Sequence, residues 1–430
     1  MIETIRKAWA VPELRKKLIF TVMILLIFRL GNAIPVPYVN TDLLQSYLDG
    51  MSTTVLGLYN VMSGGAFAQA TVFALGVQPY INSSIIIQLL TIAIPALERM
   101  ARDEGEAGKK KIASITRYAT VAIALLQGLG YYMLMRNYSI LEQSGVWPAL
   151  VIIISFVAGS SFVMWLGEQV NEFGIGNGIS IILFAGIVSR VPSMVSAAQG
   201  YIRAAENTGL AWVQMILLLI GMLALIVLIV HVSAAERRIP VQYAKRQVGR
   251  KMYGGQASTL PMKVNMSGVL PIIFAQSIAS LPATVAAFLP APAEGSFGAA
   301  FLNAIDTRSI IYLVVYFLMI IGFSYFYATI QFNPVEISNN LKRQGGFIPG
   351  FRPGKPTSDF IAKVLSKVTL FGAIYLGIVA IAPLIVGKAI QNNALAIGGT
   401  SVIIVVGVAL ETVQVLENQM LMRQYKGFLE

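Results

Sequence analysis

The sequence contains no cysteine and a single histidine, His231. Without cysteine the chain has no disulfide, no thiolate nucleophile and no cysteine ligand for a metal. A single histidine also excludes the metal centres that are built from several histidines. Charged residues make up only 12% of the chain, about half their usual share in soluble domains. The sequence therefore predicts neither a bound metal nor a cofactor.

Long uncharged stretches dominate what is present. Apolar residues make up 56% of the chain, and they recur in runs of about 20, the length needed to cross the hydrocarbon of a bilayer. Backbone at that depth must satisfy its own hydrogen bonds, and these runs lack the alternation of barrel strands. We therefore predict an all-α polytopic membrane protein with ten transmembrane helices. The predicted spans are Leu18–Pro35, Thr71–Pro95, Ile115–Met135, Trp147–Leu166, Ile179–Met194, Ala211–His231, Gly268–Leu289, Ser309–Ile330, Thr369–Gly387 and Ile397–Leu416.

The distribution of positive charge sets the predicted orientation. Of the 32 Lys and Arg residues, 26 fall in the two tails and in the loops that follow even-numbered spans. Cytoplasmic segments of membrane proteins are enriched in these residues, so we predict a cell-membrane protein with both termini in the cytoplasm. Two of the basic loops, residues 234–267 and 331–366, are long enough to predict a binding role. The alternative is that the charge of these loops only sets the orientation of the protein or attracts the loops to the membrane surface.

Ionisable groups are scarce inside the predicted spans. Arg29 lies within the first span and is long enough to reach the outer interface. His231 and Glu411 lie near predicted cytoplasmic ends. Transporters coupled to protons or sodium place Asp, Glu or His within their spans, so a coupled small-solute transporter is the disfavoured alternative. The spans show no serine paired with Lys or His and no HExxH motif, which argues against an intramembrane protease.

The stretch "LYNVMSGGAFAQATVFALGVQPYIN", residues 58–82, carries no charge but is repeatedly interrupted. Gly64 and Gly65 divide it, Pro79 follows, and several amide side chains are scattered through it. Broken backbone at membrane depth must line a cavity or be buried in protein. We therefore expect this stretch to lie inside the helix bundle rather than against lipid.

Five stretches resemble the bacterial SecY family, the channel subunits of the Sec protein translocase. They are "SGGAFAQATVFALGVQPYINSSIIIQLL", "WLGEQVNEFGIGNGISI", "YAKRQVGRKMYGGQASTLPMKVNMSGVLP", "FNPVEISNNLKRQGGFIPGFRPG" and "GGTSVIIVV". The resemblance runs in order along essentially the whole chain. It implies a passive channel and not an enzyme. Unfolded secretory polypeptides pass through such a channel, and hydrophobic segments leave it sideways into the membrane.

The resemblance also implies an architecture. Two pseudo-symmetric halves of five spans, residues 1–200 and 201–430, surround a central hourglass pore. A plug helix at about residues 58–69 closes the pore in the family, and a re-entrant loop that never moves is the alternative. The matching plug residues are Tyr59, Asn60, Val61, Met62, Ser63, Gly64, Gly65, Ala66 and Phe67. The matching residues of the pore ring are Val77, Ile81, Ile179, Leu183, Ile273 and Ile404.

Two further sites follow from the same resemblance. A lateral gate between the second and seventh spans is matched by Asn82, Gln88, Asn265 and Leu281. The alternative for each of these residues taken alone is ordinary helix–helix packing, which in membranes uses amide and small side chains. The two long basic loops match a docking surface for the SecA motor ATPase and for ribosomes. The matching docking residues are Arg246, Arg250, Lys251 and Arg352.

The partners implied by the resemblance are the SecE and SecG subunits, SecA, the ribosome, signal sequences, unfolded precursor proteins and membrane lipids. SecA or the ribosome then supplies the energy. A pore-free insertase would instead need a hydrophilic groove with a charge, and it would have neither a plug nor an aliphatic ring. The sequence favours the channel.

Overall fold

Helices dominate the computed structural model of the chain. It describes residues 2–50, 59–60, 62–102, 104–204, 208–243, 246–248, 251–253, 257–266, 268–288, 309–390 and 393–426. The helices are α1 (Ile2–Ala10), α2 (Pro12–Gly31), α3 (Thr41–Gly50), α4 (Gln78–Ala93), α5 (Pro95–Arg102), α6 (Gly105–Asn137), α7 (Val146–Phe173), α8 (Gly178–Val188), α9 (Val191–Ala204), α10 (Thr208–Ala234), α11 (Leu270–Phe288), α12 (Ile310–Gln331), α13 (Pro334–Arg343), α14 (Lys355–Ile390) and α15 (Asn393–Lys426).

Local sequence signals fix where several helices begin. α2 starts at Pro12, in a first turn that has no use for the amide hydrogen that proline lacks. α8 follows Asn177, whose side chain accepts hydrogen bonds from the amides of Ile179 and Ser180, the standard role of asparagine before a helix. α13 begins in the same way after Asn333. These starts follow from residue type alone.

The number of membrane spans is less definite than the helical class. Among the described residues, seven helices are long and apolar enough to cross a membrane, or eight if one bent pair counts as a span. That pair is α4 and α5, whose axes meet at 105°. α2 and α11 are not among the seven, although α11 includes a shorter apolar stretch, Leu270–Ala279. The count of ten stays a prediction.

One predicted span boundary is wrong, and a second predicted span contains a short break. The predicted second span begins at Thr71, but α4 starts at Gln78 and the residues before it form turns. Gly76 has a φ of +52°, a left-handed conformation through which a helix cannot run. Pro79 then lies in the first turn of α4. The predicted fifth span, Ile179–Met194, lies within Gly178–Arg203, which is long and apolar enough to cross a membrane. A two-residue break interrupts it, because α8 ends at Val188 and α9 starts at Val191. Apolar content continues across both breaks, which is why hydropathy missed them.

The two long basic loops contain strands that the all-α prediction omitted. The strands are β1 (Glu236–Tyr243), β2 (Arg246–Val248), β3 (Lys251–Tyr253), β4 (Ala257–Lys263) and β5 (Gly346–Phe347). β1 pairs with β4 in its own loop and with β5 of the other loop, both antiparallel. Ile239 and Val241 alternate inward and pack on Met262, Leu341 and Ile361. The two loops therefore form one folded unit.

Among the described residues, three large hydrophobic clusters fill most of the helical part, beside a small one of Ala8, Leu14, Ile175 and Leu416. One is built entirely from residues between Val36 and Phe156, and another entirely from residues between Ile229 and Ile403. A third takes residues from both parts of the chain, from Ile24 to Val408. This division fits two halves that meet at a shared centre, and the pseudo-symmetry of the halves stays a prediction.

Candidate pore constriction

Six branched aliphatic side chains from distant parts of the chain meet in the shared cluster. α4 and the residue before it, α8, α11 and α15 contribute them. They are Val77, Ile81, Ile179, Leu183, Ile273 and Ile404, each between 1% and 9% exposed. These are the residues that the sequence placed in a ring, and the structure brings all six into one apolar cluster. Their role as a pore ring stays a prediction.

Helical spacing explains how two helices each supply a pair. Ile179 and Leu183 are four residues apart on α8 and so lie on one face. Val77 and Ile81 have the same spacing, and the amide of Ile81 donates to the carbonyl of Val77 at 3.0 Å. A Cβ added to Gly167 of α7 would lie 2.5 Å from Cδ1 of Ile179. Glycine at position 167 therefore leaves the room that Ile179 occupies.

A cavity of about 420 Å³ opens beside the constriction. Ile81, Ile179, Leu183 and Ile273 form part of its wall. Hydroxyl and amide side chains form much of the rest, namely Ser84, Gln88, Thr91, Thr116, Asn171, Asn177 and Ser180. Among the described residues that line it, none is charged. A wall of uncharged polar side chains can hold water, and it offers no charge that would bind an ion or a charged side chain tightly.

The segment 59–67 lies at the opposite end of the same helices. Along α4 the cavity is lined from Tyr80 to Thr91, whereas Gln78 at its start donates from Nε2 to Sδ of Met62 at 2.9 Å. Met62 belongs to the same hydrophobic cluster as the six ring residues. Residue 61, predicted as part of the plug, lies outside the described residues. The constriction thus has a polar cavity on one side and this segment on the other.

Backbone contacts seat the middle of the segment against α8. Gly64 has a φ of +71°, and a Cβ there would lie 2.8 Å from Oγ of Ser189 and 3.0 Å from the carbonyl oxygen of Gly186. A Cβ on Gly186 would lie 2.7 Å from the carbonyl oxygen of Met62. Both glycines are needed because the two backbones approach so closely. The side-chain amide of Asn32 also donates, from Nδ2, to the backbone carbonyl of Ser63 at 3.2 Å.

An aromatic contact anchors the end of the segment. The Tyr131 hydroxyl of α6 donates a hydrogen bond to the carbonyl oxygen of Phe67. The two rings stack with centroids 4.2 Å apart, and Tyr131 also packs on Phe156 at 5.1 Å. Sequence reasoning missed Tyr131. The available signal was a tyrosine hydroxyl within an apolar span, since a buried hydroxyl needs a hydrogen-bond partner.

Comparison with known proteins identifies the family. The SecY family profile matches residues 71–413. The protein translocase subunit SecY of Streptomyces scabiei is 41% identical over the full length of both chains. That of Halalkalibacterium halodurans is 42% identical, again over both full lengths. The chain belongs to the SecY family. Solved structures agree on the fold: a protein-conducting channel superposes with a TM-score of 0.66 at 17% identity and 97% coverage of both chains.

The residues that the SecY resemblance assigned to a lateral gate have different surroundings in the structure, and their role as a gate stays a prediction. Asn82 is buried on α4, and Gln88 lines the large cavity. Tyr327, on α12, lines the same cavity as Gln88. Asn265 instead lines a second, small cavity with residues of α12 and α14. Leu281 lies on α11, a helix that contacts α4. Sequence reasoning did not single out Tyr327 as part of this cavity wall.

The residues that the SecY resemblance assigned to docking lie on the paired basic loops. Arg246 and Lys251 are on β2 and β3, which pair with each other, and position 250 lies outside the described residues. Arg352 is exposed in the turn after β5. Its carbonyl accepts from Oγ1 of Thr357 at 2.8 Å. Phe351 and Phe360 stack at 4.2 Å, so packing and a hydrogen bond hold the turn that displays Arg352.

Proposed function

We propose that this chain is the passive channel of a protein translocase, which moves unfolded polypeptides across the cell membrane and releases hydrophobic segments into it. One observation carries the proposal. Six aliphatic side chains from four parts of the chain meet between a polar cavity of about 420 Å³ and a buried, glycine-containing segment. The full-length relatives at 41–42% identity are named protein translocase subunits.

The aliphatic constriction supplies a seal that any polypeptide can open. Branched apolar side chains coordinate no ions, and a narrow ring of them disfavours a continuous column of water. The same side chains deform around a passing chain because they make no directional bonds. The uncharged polar cavity then serves as an entrance that holds water and favours no particular substrate charge. An acidic coupling site, which a small-solute transporter needs, is missing from its described lining.

The segment 59–67 is the proposed plug. The attachments of its described residues include the Asn32 and Tyr131 hydrogen bonds, the Gln78 contact with sulfur, and close glycine packing. Each hydrogen bond contributes only about 0.5–1.5 kcal/mol net. A set of this size holds the segment in place and still lets an entering polypeptide displace it.

The proposed lateral gate opens between α4 and α11, the second and seventh predicted spans, which are in contact. Gln88 of α4 and Tyr327 of α12 line one cavity, and we propose that a hydrogen bond between them helps to hold the gate closed. Hydrogen bonds between membrane helices contribute about 0.6 kcal/mol on average. A seam held by such bonds separates readily when an apolar signal helix competes for the same surface.

The joined basic loops are the proposed docking surface for SecA and for the ribosome. Two solved structures of similar fold are ribosome-associated: canine Sec61 in a ribosome–channel complex, and yeast Ssh1 bound to the 80S ribosome, each with a TM-score of 0.61. Arg352, exposed on a turn that neighbouring contacts hold in place, can bind an acidic protein surface or an RNA phosphate.

We propose SecE and SecG as further subunits. We also propose that both termini lie in the cytoplasm and that the chain forms two halves, residues 1–200 and 201–430.

The test is ion conductance in a planar bilayer. The purified chain with its small partner subunit is compared with a variant that lacks Tyr59–Phe67. We expect the intact channel to be silent and the deletion to conduct. Translocation of a precursor with SecA and ATP is measured in parallel. A protein that neither conducts after the deletion nor translocates would contradict the channel function, while translocation without conductance would contradict the plug.

A further inference from the structure

Arg29 is a charged residue inside a predicted membrane span that the proposed function leaves without a task. It lies in the last turn of α2 and is exposed. Its guanidinium does not simply reach the membrane interface: Nη1 donates a hydrogen bond to Oγ of Ser189 at 3.3 Å. Ser189 is the residue directly after α8. Charges at membrane depth are unfavourable and are retained where they interact with a specific partner.

The Ser189 hydroxyl relays this contact to the backbone of α8. While Oγ accepts from Arg29, it donates to the carbonyl oxygen of Gly186 at 2.7 Å. The cation therefore lies at the C-terminal end of α8, where the helix dipole favours positive charge. The direction of each bond is fixed because arginine only donates. Arg29 thus stabilises one orientation of the Ser189 hydroxyl.

Gly186 of α8 and Ser189, directly after this helix, also form the surface against which the segment 59–67 rests. Ser189 Oγ and the Gly186 carbonyl oxygen are the nearest atoms to a Cβ placed on Gly64, at 2.8 and 3.0 Å. Gly186 in turn lies against the Met62 carbonyl. A small shift of Ser189 would therefore change the surface that Gly64 rests on. Arg29 therefore acts on the segment indirectly, through Ser189.

We propose that Arg29 is a positioning residue for the closed channel: through Ser189 it fixes the end of α8 against which Gly64 rests, and so retains the segment 59–67 over the constriction. The proposal rests on the proposed function, since it needs that segment to be a plug. It assigns a role to a charge that the aliphatic seal does not require. Loss of Arg29 should loosen the plug while the ring stays intact.

A cysteine placed in the segment reports its release directly. The chain has no cysteine of its own, so an Ala66→Cys variant carries one thiol, at a position that is 1% exposed. We would measure its labelling by a membrane-impermeant maleimide in proteoliposomes. Arg29→Gln and Ser189→Ala should each accelerate labelling roughly fivefold, as expected for one lost hydrogen bond to a charged group at a partly exposed site. Arg29→Lys, which keeps a charged donor, should restore most of the slow rate.

Coupling between the two residues is the sharper result. Because Arg29 acts through Ser189, the double variant should label no faster than the faster single variant. Rates that multiply in the double variant, or an Arg29→Gln rate equal to wild type, would overturn the proposal. Arg136→Gln is the matched control, because Arg136 is an exposed arginine in the last turn of α6. It should leave the rate unchanged.

Two further measurements distinguish a specific role of Arg29 from a general loosening of the helix bundle. A second reporter, Ala275→Cys, lies fully buried on α11, and its labelling should not change with Arg29→Gln. Faster labelling there would mean that the whole bundle loosens and would overturn the specific role. The Tyr59–Phe67 deletion tests the plug independently in the bilayer. If the deletion conducts but Arg29→Gln labels like wild type, this inference fails while the proposed function stands.

Discussion

The hydroxyl of Tyr131 donates to the carbonyl of Phe67, and the rings of the two residues stack 4.2 Å apart. This pairing joins the end of the segment 59–67 to α6 at a buried position, since Tyr131 is 1% exposed. The contact has a polar and an apolar part, and the two parts are separable by mutation. It therefore offers a direct measure of how firmly the segment is held.

Tyr131→Phe should make the channel leak. The substitution keeps the stacked ring but leaves the Phe67 carbonyl without its donor, at an expected cost of about 1–3 kcal/mol in the closed state. Openings in a planar bilayer should become roughly tenfold more frequent, since about 1.4 kcal/mol corresponds to a factor of ten. Tyr132→Phe, at the neighbouring buried position, is the control. Equal effects of the two substitutions would show that the Phe67 contact is not what matters.

Gly64→Ala should displace the segment more than Gly65→Ala does. Both positions have positive φ, so both substitutions carry a similar backbone penalty of about 1–2 kcal/mol. At Gly64 the new methyl group also meets Ser189 Oγ at 2.8 Å, whereas nothing lies within 4 Å of a methyl at Gly65. Thiol labelling in the Ala66→Cys background compares the two. If Gly65→Ala labels as fast as Gly64→Ala, close packing against α8 is not what holds the segment.

Sequence reasoning succeeded where residue type decides the outcome. Long apolar runs predicted the cores of the helices, and the resemblance to a family selected six side chains that the structure gathers in one cluster. It failed where the decisive contact joins distant polar atoms. Tyr131, Ser189 and Tyr327 are single hydroxyls in or beside apolar helices, and no periodic pattern marks which carbonyl or amide each one meets. The sheet of the basic loops was missed because β5 pairs with β1 across more than a hundred residues.

A polar group in the constriction should allow ions to pass. Ile273→Thr introduces a hydroxyl among the ring residues and so weakens the exclusion of water. In the background that lacks Tyr59–Phe67 the variant should conduct more than the deletion alone. Ile272→Thr is the matched control because Ile272 is equally buried on α11 but packs in the other cluster. It should lower the melting temperature without adding conductance, and added conductance from it would contradict the assignment of the ring.

Tyr327→Phe should ease the opening of the proposed gate. The variant loses the hydroxyl that we propose bonds to Gln88 across the shared cavity, but it keeps the edge contact with Phe274, whose centroid is 6.0 Å away. A loss of about 0.6 kcal/mol corresponds to about a threefold gain in the transport of precursors with weakly hydrophobic signal sequences. The hydroxyl of Tyr325, on the same helix, donates to the Ser366 carbonyl at 3.1 Å, so Tyr325→Phe is the control. A gain that persists when Gln88 is already Leu would rule out the Gln88 bond as its source.

Arg352→Glu should uncouple the motor while the pore stays intact. Arg352 is exposed on a turn that the Thr357 hydrogen bond and the Phe351–Phe360 stack hold in place, so reversing its charge should alter the proposed docking surface and not the fold. We expect SecA-driven transport to fall at least tenfold, since like charges placed across an interface repel one another by several kcal/mol. The melting temperature should stay unchanged, and so should the conductance measured in the background that lacks Tyr59–Phe67.

Lys363→Glu is the control, because it makes the same charge change at an exposed site on α14. There, the need to orient the protein in the membrane suffices to explain the lysine. If both variants transport equally poorly, net charge and not Arg352 governs docking, and the assignment of this residue is wrong.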